Sequence, residues 1–395
     1  MREPAEMRDS MKIRNASVYT SYGNFEQLDV LIHDGMIQAV TPKDGLKNIE
    51  DDVTVDGTGM YLIPGLTDIH FHGCVGYDFC DGTEEAIEAM ARYQARNGVT
   101  TICPATMTYP EEKLTEICRA ARAYNEREDV KRIGASLVGI HMEGPFISHT
   151  KKGAQNPNYI QKPDVDMYRR LQQESGGLIK LVDIAPEVEG AMPFIQAVYS
   201  EVAVSLAHTA ADYNTAMEAF GNGARHVTHL FNAMDPYSHR APGVIGAAAD
   251  SPGAEVELIC DGIHIHPAVV RSSLRLYGPD RVILVSDSME ATGMPDGEYS
   301  LGGQPVHVKG NRATLADGTI AGSATNLMQC LRVMVQDMGL PLETAVRCAA
   351  VNPAKSIGIY DRYGSIAPGK VANLVLLNQD LEVMTVILNG EEYQG

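Results

Sequence analysis

Six side chains able to bind a metal or carry a proton each follow a short apolar run. They are His70 and His72 in LIPGLTDIHFHG, Glu143 in LVGIHMEGPF, His208 in VAVSLAHT, His229 in HVTHLFNA and Asp287 in RVILVSDS. One histidine after such a run is usually a hydrogen-bonded core residue. Two histidines, a carboxylate, two more histidines and an aspartate, all at strand ends, fit another arrangement. Parallel strands would point their C-terminal ends at one pocket holding a divalent metal. Glu143, His208 and His229 make a His2Glu set that leaves a coordination position open for water, as catalytic zinc requires. Asp287 alone could simply cap a helix start; beside metal ligands at other strand ends, the favoured role is to take a proton from that water and return it to a leaving group. The chemistry expected is metal-assisted hydrolysis.

In HFH the period of two sends His70 and His72 to the same side of an extended chain, so both imidazoles can share one ion. Asp68, just before them, is available as an acceptor for a ligand ring. Glu143 would be costly to bury unless paired with a cation or bound to metal. His141 shares its face, and is read as a packed core histidine ahead of a supporting role. His226, His239 and His266 have no comparable context and receive no role. DGIHIHP places His264 after the seventh run; FNAMDPYSHRAPG places Asn232, Ala233 and Arg240 after the sixth. Arg240, in a loop rich in Pro and Gly, is either a solvated surface charge or a phosphate ligand. The expected cofactor is a divalent metal, one or two ions per chain. Zinc suits the ligands best; iron, manganese and cobalt are compatible.

The elements that must position these residues alternate between strand and helix. Eight apolar runs read as buried strands: LIPGLTDI, VTTICPAT, ASLVGIHM, IKLVDIA, VAVSLA, HVTHLF, EVELIC and RVILVS. Helical patterns lie between most of them, including TEEAIEAMARYQARNG with its NG stop signal. Eight such units predict a (β/α)8 barrel, and no GxGxxG follows the first strand to favour a doubly wound nucleotide fold. Both ends of the chain read as short strands with hairpin turns at HDG, VDGTG and NG. The expected organisation is a small β-sandwich built from residues 1–62 and 363–395, flanking a barrel over residues 63–362. MPDGEYSLGGQPVHVKGNRATLADGTIAG reads as a β insertion at the pocket rim.

With 32 Lys+Arg against 51 Asp+Glu, the net charge of −19 disfavours nucleic acid and anionic membranes as partners. An anionic substrate would need local cations. The seven Cys residues show no CxxC pairing and sit in apolar surroundings, which predicts reduced thiols and a cytoplasmic setting. No apolar run approaches a membrane span, and the first residues lack the apolar core of a signal peptide. Residues ahead of Met11 read as a loose extension or an upstream start.

PGLTDIHFHG, HMEGPFIS…KKGAQNP, LAHTAA, THLFNAM, DGIHIHP, LVSD and TIAGSATNL resemble, in order, the N-acetylglucosamine-6-phosphate deacetylases of the amidohydrolase superfamily. The resemblance covers nearly the whole chain. It implies a metal-containing barrel that hydrolyses the acetamide of an amino sugar 6-phosphate, with Glu143, His208 and His229 on the principal metal and Asp287 as acid and base. It further implies that Ala154, Asn232, Ala233, Arg240, Asp261, Gly262, Ile263, His264, Ile320, Ala321 and Gly322 line the sugar phosphate. The family's counterpart of Arg240 reaches in from a neighbouring subunit, which implies a homodimer. Members that keep both histidines of HxH can hold a second metal bridged by the Glu, as this chain could. Some members have KGAH, whose His polarises the substrate carbonyl; Gln155 stands there in this chain and cannot be cationic. Dihydroorotase-like and dipeptidase-like relatives often use a carboxylated Lys at the end of strand four, whereas Lys180 lies near the start of IKLVDIA. A non-catalytic scaffold would have eroded ligands, and none is missing.

Overall fold

A computed structural model describes residues 10–46 and 53–395. The extension expected ahead of Met11 falls almost wholly outside the described residues. All eight apolar runs form strands, and every pairing between them is parallel. Leu66–Asp68, Val99–Ile102 and Ser136–Leu137 make a three-stranded sheet. Ile140–Met142, Ile179–Ile184, Ala203–Leu206, His226–Val227, Glu255–Ile259 and Val282–Val285 make a six-stranded one. The third run thus contributes one strand to each sheet. Ala105 beside His141 extends the contact between them. These strands are buried on both faces because helices cover one side and side chains fill the other, which is why they read as continuous apolar runs.

The helices start and stop where local chemistry dictates. Thr83 caps Glu84–Arg96 by accepting from the Ala86 N–H, and Asn97 and Gly98 end it. Asp212 caps Tyr213–Gly221 by accepting from the Thr215 N–H, while Pro267 opens Pro267–Tyr277.

Both chain ends meet in one eight-stranded sheet, because Leu374–Leu377 pairs antiparallel with Tyr61–Pro64, which pairs with Ser10–Tyr19. The hairpin between Phe25–His33 and Met36–Pro42 turns at Asp34 and Gly35, both with positive φ, as the HDG signal requires. The sheet packs on a separate apolar cluster that includes Ile13, Val30, Leu62, Leu374 and Ile387. The insertion is a three-stranded antiparallel sheet, Gly297–Leu301, Gln304–Lys309 and Arg312–Thr314. All seven cysteines are buried and free. Among the described residues, no helix is long and apolar enough to cross a membrane.

Candidate metal centre

The six residues singled out above converge at the C-terminal ends of the parallel strands. His208 follows Ala203–Leu206, His229 follows His226–Val227 and Asp287 follows Val282–Val285. Each has a left-handed backbone, with φ of 44°, 31° and 49°. Such a conformation is strained for residues with a Cβ and clusters at functional sites. Here it ends the strand and sends the next residues away. Glu143 gathers the imidazoles: its Oε1 lies 3.0 Å from His208 Nε2 and 3.1 Å from His229 Nε2, and its Oε2 lies 3.2 Å from His72 Nε2. Asp287 Oδ1 stands 3.4 Å from His72 Nε2 and 3.7 Å from His70 Nε2. Glu143 and His208 are 2 % and 5 % exposed, so water cannot satisfy them freely.

Ring orientations are set by the nitrogens that face away. His208 Nδ1 donates to the Lys151 carbonyl at 2.9 Å, and His70 Nδ1 donates to Glu257 Oε2 at 2.8 Å. Both tautomers leave Nε2 with its lone pair turned towards Glu143, the form a metal needs. Glu257 is not among the residues singled out in the sequence, where Asp68 is the acceptor expected for a ligand ring. Asp68 instead accepts the Ser286 hydroxyl at 2.5 Å and only the backbone N–H of His70. Burial pushes its carboxyl up to about 7. His141 has both nitrogens occupied, by the Ile69 carbonyl and by Asp183 Oδ1 at 2.9 Å, which makes it a satisfied core residue. His70, His141 and Glu257 lie close enough to hold an ion, but hydrogen bonds already use both nitrogens of His141.

Electrostatics support a cation. Burial opposes charge on His72, yet Glu143 and then Asp287 raise its pKa to about 10. Burial also opposes charge on Glu143, but His72, His208 and His229 hold it well below the usual carboxylate range. Asp287 is likewise brought down to about 2, chiefly by His72 and His70 against the cost of burial. Two buried anions demanding positive charge from their imidazoles are what a divalent ion would satisfy, with release of the histidine protons. His70, His72 and Asp287 form one group of suitable spacing; His70, Glu143 and His229 form another.

Residues 61–393 match the model of the Amidohydrolase family. The chain belongs to that family. It is 36% identical over 385 residues to N-acetylglucosamine-6-phosphate deacetylase of Bacillus subtilis (strain 168), covering 97% of each chain. It is 33% identical over 380 residues to N-acetylgalactosamine-6-phosphate deacetylase of Escherichia coli O157:H7, covering 96% of this chain and 98% of that one. The crystal structure of N-acetylglucosamine-6-phosphate deacetylase from Pasteurella multocida aligns with a TM-score of 0.90 at 29% identity, over 97% of this chain and 99% of that one.

The remaining expected residues are distributed unevenly around the amidohydrolase centre. Gln155 is buried, but both ends of its amide are engaged: it donates to Glu143 Oε2 at 2.9 Å and accepts from the Thr108 N–H at 2.7 Å. It supports Glu143 rather than standing free for a substrate carbonyl. The Ala154 carbonyl accepts from Gln304, which ties the rim insertion to this loop. Ala233, with φ of 51°, accepts the Thr209 N–H through its carbonyl, and Asn232 donates to the His229 carbonyl. Asp261 accepts the N–H groups of Ile263 and His264 at 2.9 Å each and fixes the His264 ring at 2.7 Å, with Gly262 turning at positive φ. Ile320 and Ala321 pair with the rim insertion at Thr314 and Ala313, and the segment then passes Asp287: a Cβ on Gly322 would sit 3.2 Å from the Asp287 carbonyl, and the Ser323 N–H donates to it at 2.7 Å. Arg240 is the exception. It is exposed and lines a separate cleft of about 600 Å³ with Tyr213 and Asp235.

Proposed function

We propose that this amidohydrolase removes the acetyl group from N-acetylglucosamine 6-phosphate, yielding acetate and glucosamine 6-phosphate in amino sugar catabolism. The observation that carries this reading is the convergence of three imidazole nitrogens on Glu143, with Asp287 against one of the same rings, in a chain whose relatives bear that activity in their names. Glu143, His208 and His229 would hold the principal ion, and His70 and His72 a second. Zinc suits this donor set best; iron, manganese and cobalt share its ligand preferences. An ion held there would polarise the acetamide carbonyl and lower the pKa of a water from 15.7 towards about 7.

The protein's own groups do the rest. Asp287 accepts the proton of the water that adds to the carbonyl carbon, then delivers it to the nitrogen as the C–N bond breaks. Since the Gln155 amide is held by Glu143 and Thr108, His264 is the better donor to the developing oxyanion: its Nδ1–H is held by Asp261, whose carboxylate favours the protonated ring against the cost of burial, and the protonated ring carries a second N–H at Nε2. Ala154, Asn232, Ala233 and the segments 261–264 and 320–322 would line the sugar.

The same reading takes the two parallel sheets as one (β/α)8 barrel over residues 63–362. The Asp287 N–H to His70 carbonyl bond at 2.9 Å, linking the last strand's end to the first's, supports closure. Residues 1–62 and 363–395 would form the small β-sandwich around their own apolar cluster. A homodimer is supported by Arg240, exposed away from the centre, and by Tyr237, 55 % exposed on the same loop. Seven buried free thiols suit a reducing cytoplasm.

The galactosamine epimer is the second reading, favoured by the Escherichia coli O157:H7 relative. Acetate release from a panel of N-acetyl hexosamine 6-phosphates, beside elemental analysis of the protein, decides between them. No acetate from any member of the panel would sink both.

A further inference from the structure

We propose that Glu257 is a positioning residue whose single carboxylate oxygen sets two of the metal-facing imidazoles, His70 and His229, at once. This rests on the metal reading above. Glu257 lies within Glu255–Ile259 and is fully buried. Its Oε2 accepts from His70 Nδ1 at 2.8 Å and from the backbone N–H of His229 at 3.1 Å. The first bond fixes the tautomer of His70, so that Nε2 presents its lone pair to Glu143 Oε1 and Asp287 Oδ1, each 3.7 Å away. The second pins the backbone where His229 adopts a φ of 31°, and the Leu230 N–H closes the same turn on the Glu257 carbonyl at 2.9 Å. That turn is what delivers His229 Nε2 to Glu143 Oε1.

The surroundings argue against a simple stabilising ion pair. Among the described residues, the second oxygen of Glu257 pairs with no Arg or Lys; His226 Nε2 lies 3.7 Å away and His141 Nδ1 3.9 Å. Those two rings belong to a polar layer beneath the centre, in which His226, Ser205, Thr228, Asp183 and His141 are linked in turn at 2.9, 2.6, 2.7 and 2.9 Å. A fully buried carboxylate contributes little net stability over an apolar residue of similar size. Its gain lies in orientation, where outer hydrogen-bond partners of metal ligands act.

Metal-stripped wild-type protein, Glu257→Gln and Glu257→Ala are titrated with cobalt against a competing chelator, reading visible absorption and ions bound per chain. The activity of each reloaded protein is then split into kcat and KM. Gln keeps an oxygen for both donors but removes the charge. Its cobalt affinity should fall ~10–100-fold with Tm nearly unchanged, and kcat should recover in excess metal while KM holds. Ala should lose more, and if it fails to fold the Gln variant still decides. Wild-type cobalt affinity in Glu257→Gln, with or without a lowered Tm, overturns the proposal. A wild-type protein that takes up no cobalt overturns the metal reading itself.

Discussion

The Nε2 atoms of His208 and His229 lie 3.1 Å apart, and both face the same oxygen of Glu143. His208 Nδ1 donates to the Lys151 carbonyl, so its Nε2 meets that carboxylate and the other imidazole as an acceptor. Acceptors this close repel one another unless positive charge lies between them. A proton can supply it at one contact; a divalent cation supplies it at all of them.

Removing one ligand of three should therefore release the ion. His208→Ala is expected to lose bound metal and turnover together, and a strong chelator should do the same to the wild type. Full metal content with normal turnover in the variant would remove His208 from the centre.

On the proposed mechanism Asp287 carries a proton rather than the principal ion. Asp287→Asn preserves shape and removes the proton acceptor, so kcat should fall at least ~10²-fold, on the scale of general acid–base catalysis. Thermal stability and the ion bound at Glu143 should change little. A variant that keeps its kcat but unfolds more readily would make Asp287 structural.

Gln155 gives a test of a different kind. Its amide joins Glu143 Oε2 to the Thr108 N–H, both buried. Gln155→Leu leaves the Thr108 donor unsatisfied, at a cost of ~1–3 kcal/mol, and frees the Glu143 carboxylate to rotate. Lower Tm and weaker metal binding are expected. A pure kcat loss with metal affinity and Tm intact would show that Gln155 acts on the substrate carbonyl after all.

Much of this was legible in the chain, for identifiable reasons. The eight strand-forming runs show because both faces are buried, which leaves mostly apolar stretches between helix caps. His70, His72, Glu143, His208, His229 and Asp287 show because each interrupts the polarity pattern at a strand end. Glu257 and Asp183 carry an equivalent signal, a carboxylate inside EVELI and IKLVDI. Neither stands out in the sequence, because a strand pattern does not say which buried group lies opposite. Asp68 is the nearby candidate, two residues before His70, whereas the acceptor that reaches the ring is 187 residues on. The left-handed φ values at His208, His229 and Asp287 leave no trace in residue type, since glycine would be the usual marker.

Arg240 is exposed on the loop after His229, in a cleft that none of the six metal-centre residues lines. With a net charge of −19, a phosphorylated substrate must be captured by local cations, and a guanidinium fork matches a phosphate. Arg240→Ala should raise KM strongly for the 6-phosphate and leave slow hydrolysis of unphosphorylated N-acetylglucosamine nearly unchanged. Mixing locates the arginine. If Arg240 serves the partner's site, a hybrid of one Arg240→Ala chain and one Asp287→Asn chain contains one complete site. Random reassembly of equal amounts in a twofold dimer should then restore about a quarter of wild-type activity. If Arg240 serves its own chain, every site in the hybrid lacks one group, and mixing should restore nothing. An equal loss on both sugars in Arg240→Ala alone would place the residue in the fold or the dimer contact instead.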